Sequence, residues 1–336
     1  RYFDNWTINK VNDRIIKKQV IAIVNIRWII MTQSAVWSII GIVILVYVIL
    51  STLAAYVLVR IPRLPLRDNP SSIGLEYEDV SFPSRKDNLT LKGWYMPGKK
   101  SFTIIVITGM RQNRVDYRIN SLNMAKGFVD KGFNVLLFDQ RGRGESEGQG
   151  FVLTNFDRDI GGAVDFVRSK KGPNEQIGLI GLSAGAAATV IFSSSEEVDA
   201  VVADSCFTSI SKVFSQKGSK MSKLPRPIVK LLGLGIWIMA RIMYGYRRSD
   251  PADKVANVKC PILFIQGDKD DWVSIDVTER LYKLSNNPLD EIWFVPNAGH
   301  TKTFGIDPEG YVERIASFFS KFEKTPLQNK QPSAAI

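Results

Sequence analysis

Between Arg27 and Arg60 the chain runs for 32 residues without a charged side chain. Its later part, "WSIIGIVILVYVILSTLAAYVLV" from Trp37 to Val59, has no polar face at any helical periodicity. A helix crossing a bilayer needs about 20 apolar residues, and a buried helix of a soluble domain seldom stays apolar on every side for so long. The expectation is one transmembrane helix over residues 36–59, between an N-terminal basic segment, 1–35, and a linker, 60–74. A cleaved signal peptide fits poorly, because the run is too long and no small-x-small site precedes "RIPRLPLRDNP". Lys10, Arg14, Lys17, Lys18 and Arg27 on the N-terminal flank outnumber Arg60, Arg63 and Arg67 on the other. That small Lys/Arg excess predicts a cytoplasmic N-terminus, with the rest of a single-pass protein outside the plasma membrane.

After the linker, short β-branched runs alternate with segments of helical period. The expected strands are 75–82, 89–96, 102–108, 133–139, 176–182, 199–204, 261–266 and 290–295, and the expected helices 116–131, 155–171, 184–194, 274–284 and 308–322. Runs such as "TIIVIT" and "NVLLF" are apolar at nearly every position, as strands covered on both faces must be. The pattern predicts an α/β fold: a mainly parallel sheet with helices on both sides, opened by an antiparallel pair.

The formal charge of +11 is concentrated in two places. Residues 1–74 hold nine basic against three acidic side chains, and 207–249 hold nine basic and no acidic one. The remainder is therefore net acidic. This clustering suits a bilayer surface or an anionic ligand and argues against nucleic acid as a partner. Cys206 and Cys260 are the only cysteines. They flank opposite ends of neighbouring expected strands, roughly 15–20 Å apart against a bridging limit of about 7 Å, so two free thiols are expected.

Gly181-Leu182-Ser183-Ala184-Gly185 is a G-x-S-x-G placed where an expected strand runs into an expected helix. A nucleophilic serine at such a junction sits on a tight, strained turn, and Gly181 and Gly185 let strand and helix nearly touch. Serine needs a base, and His300 in "VPNAGHTKTF" is the only histidine of the chain. A carboxylate must hold that imidazole in the useful tautomer, and "GDKDDWV" offers Asp268, Asp270 and Asp271 in one loop after a strand. "DQRGRGES", 139–146, superficially matches a dinucleotide fingerprint but has Glu147 where the third glycine belongs.

The set "GLSAG", "DQRGRGES", "QGDKDDWV" and "NAGH", in this order, resembles the α/β-hydrolase superfamily, and within it the bacterial membrane-tethered hydrolases of the serine-aminopeptidase and monoacylglycerol-lipase-like group. The resemblance covers roughly 75–322 and leaves 323–336 as a tail. It implies eight strands, a small helical cap over 207–249, a structural loop at 139–146 supported by Asp139 and Arg141, and a nucleophile, acid and base at Ser183, Asp270 and His300. Asp270 is singled out by the family spacing G-x-x-D-x-x-V, which leaves Asp268 and Asp271 as solvated loop charges. The oxyanion hole would use the backbone N–H groups of Ala184 and Met110. Met110 lies in Thr108-Gly109-Met110, where the family usually has His-Gly-x. No metal or organic cofactor is implied. The activity to expect is hydrolysis of carboxylic, lipid-like or amphiphilic esters through an acyl-enzyme, with a serine peptidase or amidase as the alternative, and a catalytically silent membrane-anchored scaffold as the reading from another class.

The basic insert adds a membrane theme. Lys212, Lys217, Lys220, Lys223, Arg226 and Lys230 precede the apolar run Leu231–Ala240, which contains Trp237 and is too short to span a bilayer. Its apolar side is expected either to pack on the hydrolase core or to dip into a lipid interface, with Lys223, Arg226 and Lys230 on anionic headgroups.

Overall fold

The computed structural model describes residues 3–149, 155–213, 223–246 and 249–324, without the side chains of 3–16 and 58–59. Lys217, Lys220 and nearly all of the tail lie outside the described residues. The chain divides into two compact units, 1–54 and 55–336.

The first unit is helical. One helix, α1, runs from Phe3 to Val59, so the basic segment 1–35 and the expected span 36–59 are a single element. The sequence supplies no break between them: this stretch has no proline and only Gly41 as glycine. The part from Lys17 to Val57 is long and apolar enough to cross a membrane, which starts the apolar stretch earlier than expected.

The second unit carries an eight-stranded sheet in the order β1-β2-β4-β3-β5-β6-β7-β8. The strands are β1 (Glu78–Pro83), β2 (Thr90–Met96), β3 (Phe102–Ile107), β4 (Asn134–Phe138), β5 (Gln176–Leu182), β6 (Ala200–Asp204), β7 (Ile262–Gly267) and β8 (Glu291–Val295). Pairing is antiparallel for β1·β2 and β2·β4 and parallel for the rest. The first strand starts later than expected because Pro70–Ile73 forms a 3-10 turn, capped by the Asn69 side chain and closed by Gly74 at φ 68.

Helices α2 (Ser121–Asp130), α3 (Phe156–Lys171) and α4 (Ala184–Ser193) follow β3, β4 and β5. The start of α2 lies five residues after the expected one. The Ser121 hydroxyl accepts from the Asp116 amide and donates to the Arg114 carbonyl, folding 114–120 into a loop. Beyond β6 come α5 (Arg226–Tyr244), α6 (Ile275–Ser285), the short α7 (Thr303–Ile306) and α8 (Pro308–Ser320). Side chains of α3, α4 and α6 fill the core on one face of the sheet, and those of α2 and α8 fill it on the other. Apolar burial on both faces explains why the central strands read as unbroken hydrophobic runs.

Strand order reverses at β3, which has β4 on one side and β5 on the other. Their carboxyl ends meet at that switch point, the place where doubly wound sheets form a ligand crevice.

Helix α5 occupies the expected cap, but it does not pack its apolar side on the core. Only Gly235 and Ala240 of it are buried, while Leu231, Leu234, Ile238 and Ile242 are exposed. At 19 residues it is also longer than its uncharged centre suggests, and long and apolar enough to qualify as a second candidate span. Helix-forming residues on either side of 231–240 extend it in both directions. Cys206 is buried behind β6, Cys260 is half-buried before β7, and both are free.

Candidate active site

Ser183 is the single residue between β5 and α4, at φ 54 and ψ −114. A non-glycine residue there is strained, and its surroundings hold it. Its amide donates to the Asp204 carbonyl at 2.9 Å, and its carbonyl accepts from Ala187 at 3.1 Å. The flanking glycines are required by contact: a Cβ at Gly181 would lie 2.6 Å from the Ala186 Cα, and one at Gly185 2.1 Å from the Ile107 carbonyl oxygen. The sequence folds into an elbow here because only residues without side chains let α4 leave the sheet at this angle.

His300 lies in the loop between β8 and α7. Its Nε2 is 2.8 Å from the Ser183 Oγ, and its Nδ1 is 2.7 Å from Asp270 Oδ2. Ser183 and His300 remain partly open to solvent, whereas the Asp270 side chain is fully covered. Burial alone would favour a neutral Asp270. The hydrogen bond from His300, its charge, the Val273 amide and the Gln266 side chain outweigh that, and the carboxyl sits below its ordinary value. Three residues distant in sequence are thus brought into one hydrogen-bonded line, with an anionic carboxylate at its buried end.

The two amides expected to bind an oxyanion flank the serine. Ala184 is the first residue of α4, and Met110 follows β3 across from it, with Gly109 against Ser183: a Cβ at Gly109 would be 3.5 Å from that of Ser183. Neither amide donates to another described residue. Among the described residues no group of His, Cys, Asp and Glu could hold a metal ion.

A family model described as serine aminopeptidase, S33, matches residues 103–247. The chain is 25% identical over 234 residues to the uncharacterized protein YqkD of Bacillus subtilis, covering 68% of this chain and 74% of that one. It is also 25% identical over 272 residues to YfhR of Salmonella typhimurium, covering 76% and 84%. Among solved structures, the esterase Pf2001 of Pyrococcus furiosus superposes with a TM-score of 0.66 at 25% identity, over 79% of this chain and 98% of its own. The chain has the α/β-hydrolase fold, and the family model and relatives together support the α/β-hydrolase superfamily. An esterase of Thermogutta terrifontis, at 16% identity and a TM-score of 0.53, shares the fold.

The hydrolase site contains supports that sequence reasoning did not single out. Gln266, buried at the end of β7, donates to Asp270 Oδ2 at 2.9 Å and accepts from Thr278 at 2.9 Å, so it cannot rotate away. Asp268 is exposed, as a solvated loop charge should be, and its carboxylate also accepts from the Asn297 amide at 2.6 Å, which ties the Asp270 loop to the His300 loop. Fully buried Asp204 accepts from Ser205, Thr303 and Tyr311, and the Ser205 hydroxyl accepts from the Thr301 amide at 3.1 Å, which fastens the residue after His300. Trp272 lies with its ring 6.0 Å from the His300 ring at 31°. Trp272, two residues after Asp270, and Gln266, four before it, are local in sequence; the other supports form only when strands meet. In "DQRGRGES", Asp139 pairs with Arg114 and Arg141 with Asp159 and Asp87, so this is a structural loop, as the family resemblance implied.

Proposed function

We propose that this chain is a membrane-anchored serine hydrolase acting on carboxylic esters of lipid-like or amphiphilic acids. The observation that carries this is the unbroken line from Ser183 Oγ through both ring nitrogens of His300 to Asp270. In the reaction His300 Nε2 takes the Ser183 proton as Oγ bonds to the acyl carbon. The carbonyl electron pair moves onto oxygen, which the Ala184 and Met110 amides receive. Collapse of that intermediate expels the alcohol, protonated by His300. Water, deprotonated by the same imidazole, then attacks the acyl-enzyme and frees the acid. Asp270 holds Nδ1–H and balances the imidazolium that forms twice per cycle. No step draws on a metal or organic cofactor.

α1 serves as the anchor in this reading. The Lys/Arg excess before it puts the N-terminus in the cytoplasm and the hydrolase domain outside the plasma membrane. The exposed face of α5 carries Trp237, Ile238 and Leu234 beside exposed Lys223, Arg226 and Lys230. That combination suits an interfacial helix on anionic lipid, which would bring amphiphilic substrate to the crevice.

A fluorophosphonate probe should label the wild-type chain and leave Ser183→Ala untouched, and p-nitrophenyl esters should be cleaved faster than aminoacyl-nitroanilides. Absence of labelling in folded protein would leave an anchored scaffold. A preference for the anilides would favour the peptidase reading, which the matched aminopeptidase family model keeps in view. Failure of Lys223→Gln/Arg226→Gln/Lys230→Gln to weaken binding to anionic vesicles would remove the lipid-facing role of α5.

A further inference from the structure

Three arginines are buried beside the crevice, and they are used differently. Arg114 bonds Asp139 and Glu145, and Arg141 bonds Asp159 and Asp87. Both are held by carboxylates and hold loops in turn. Arg143, 1% exposed, has no ion pair among the described residues. Its Nη1 donates to two backbone carbonyls, Gly109 at 2.8 Å and Gln112 at 3.3 Å. Its guanidinium lies 5.0 Å from the Phe156 ring centroid, and its Nε and Nη2 find no hydrogen-bond partner among the described residues. A cation kept this dry, with only neutral oxygens to bind, is costly unless those oxygens have to be held.

The Gly109 carbonyl belongs to the same peptide unit as the Met110 amide. That unit is planar and trans, so fixing its oxygen on one side fixes the direction of its N–H on the other. The Gln112 carbonyl closes the far side of the turn, whose middle residue Arg111 sits at φ 62 and stores strain that the guanidinium offsets. A charged donor on the carbonyl also polarises the peptide, making its N–H a better donor.

On the serine-hydrolase reading, we propose that Arg143 is the positioning residue of the oxyanion hole, aiming the Met110 amide at the tetrahedral intermediate by gripping the Gly109 carbonyl from inside the protein. It takes the place of side-chain support from residue 108, which is threonine here and has a hydroxyl with no partner among the described residues.

The test uses the full chain in detergent with p-nitrophenyl butyrate as substrate and a trifluoromethyl ketone as a reversible mimic of the tetrahedral state. Arg143→Met should lower kcat on the order of 10- to 100-fold, a part of what losing one donor outright costs. KM should stay within about threefold, because the interaction is made in the transition state. Ketone affinity should fall in proportion to kcat/KM, and the acid limb of the pH–rate profile should not move, since the proton relay is intact. Arg143→Lys, which keeps one charged donor, should recover most of kcat, with Arg143→Gln between the two. These two variants carry the comparison if the methionine variant does not fold. Folded Arg143 variants with wild-type kcat and ketone affinity would overturn the proposal, as would a loss of kcat that ketone affinity does not follow. A folded wild type that neither cleaves the ester nor takes a fluorophosphonate would instead overturn the serine-hydrolase reading beneath it.

Discussion

Replacing Asp270 by asparagine keeps the shape of the site and removes two things, the negative charge and the ability to accept at both oxygens. In the structure Oδ1 accepts from the Trp272 and Val273 amides at 2.8 and 2.9 Å, while Oδ2 accepts from His300 and Gln266 at 2.7 and 2.9 Å. An asparagine has one acceptor oxygen. Turning its NH2 toward the two backbone amides would set donors against donors in a buried place, at about 1–3 kcal/mol for each unmet group. Its oxygen therefore stays with the two amides and its NH2 faces His300, whose ring can turn Nδ1 into an acceptor, leaving one donor–donor contact, with Gln266, in place of two. The imidazole must then accept at Nδ1 and carry its proton on Nε2, against the Ser183 hydroxyl, where it cannot act as a base. A wrong tautomer of this kind lowers kcat by about 10⁴, or about 5.5 kcal/mol of barrier. Asp270→Asn should thus fold, lose esterase turnover by that factor and label with fluorophosphonate correspondingly slowly. The linkage sign follows from the lowered carboxyl. The stability Asp270 contributes is full above its ordinary value of 3.8 and fades as pH falls through its lower folded value. The variant should therefore show a flatter dependence of Tm on pH below about 4. A folded Asp270→Asn retaining more than about a tenth of wild-type kcat would refute this account of how the acid acts.

Gly185→Ala should abolish labelling and cost more than about 4 kcal/mol, because the new Cβ would meet the Ile107 and Thr108 carbonyls, which cannot yield without parting α4 from the sheet; chemical denaturation and probe labelling together check it. Arg141→Met and Arg143→Met should separate stability from catalysis. The first strands the fully buried Asp159 carboxylate and should cost about 3–5 kcal/mol. The second removes a cation whose pKa burial pulls from 12.5 down to about 10; relief of that burial offsets the loss of its two carbonyl hydrogen bonds, so Arg143→Met should melt within a few degrees of wild type. The thiols of Cys206 and Cys260 should react with Ellman's reagent only slowly at pH 8: burial pushes Cys260 up to about 12, and Cys206 higher still. The thiolate fraction of Cys260 is then about 10⁻⁴, and prompt reaction of either thiol in the native state would refute the burial.

The sequence by itself determined what local rules can encode. The uncharged run announces a lipid-compatible helix by composition alone, and the all-apolar strands announce a sheet covered on both faces, since each depends only on neighbouring residues. Gly181 and Gly185 around Ser183 mark an elbow because steric room is a local property. A lone histidine leaves no choice of imidazole. Sequence did not show that α1 begins as early as Phe3, because the basic residues ahead of the uncharged run look like a boundary although nothing in them breaks a helix. It also missed the loop before α2, where one Ser121 hydroxyl outweighs helical periodicity. Most of all, it could not see partners joined by folding: Asp268 on Asn297, Ser205 under Thr301, and Arg143 under Gly109 come from elements distant in the chain. Their hydrogen bonds exist only once parallel strands fix the relative height of each loop, and the sheet register, rather than any motif, sets those heights. Tertiary structure likewise decided that the apolar face of α5 is left open instead of buried, because a hydrophobic pattern states that a face seeks cover without stating what covers it.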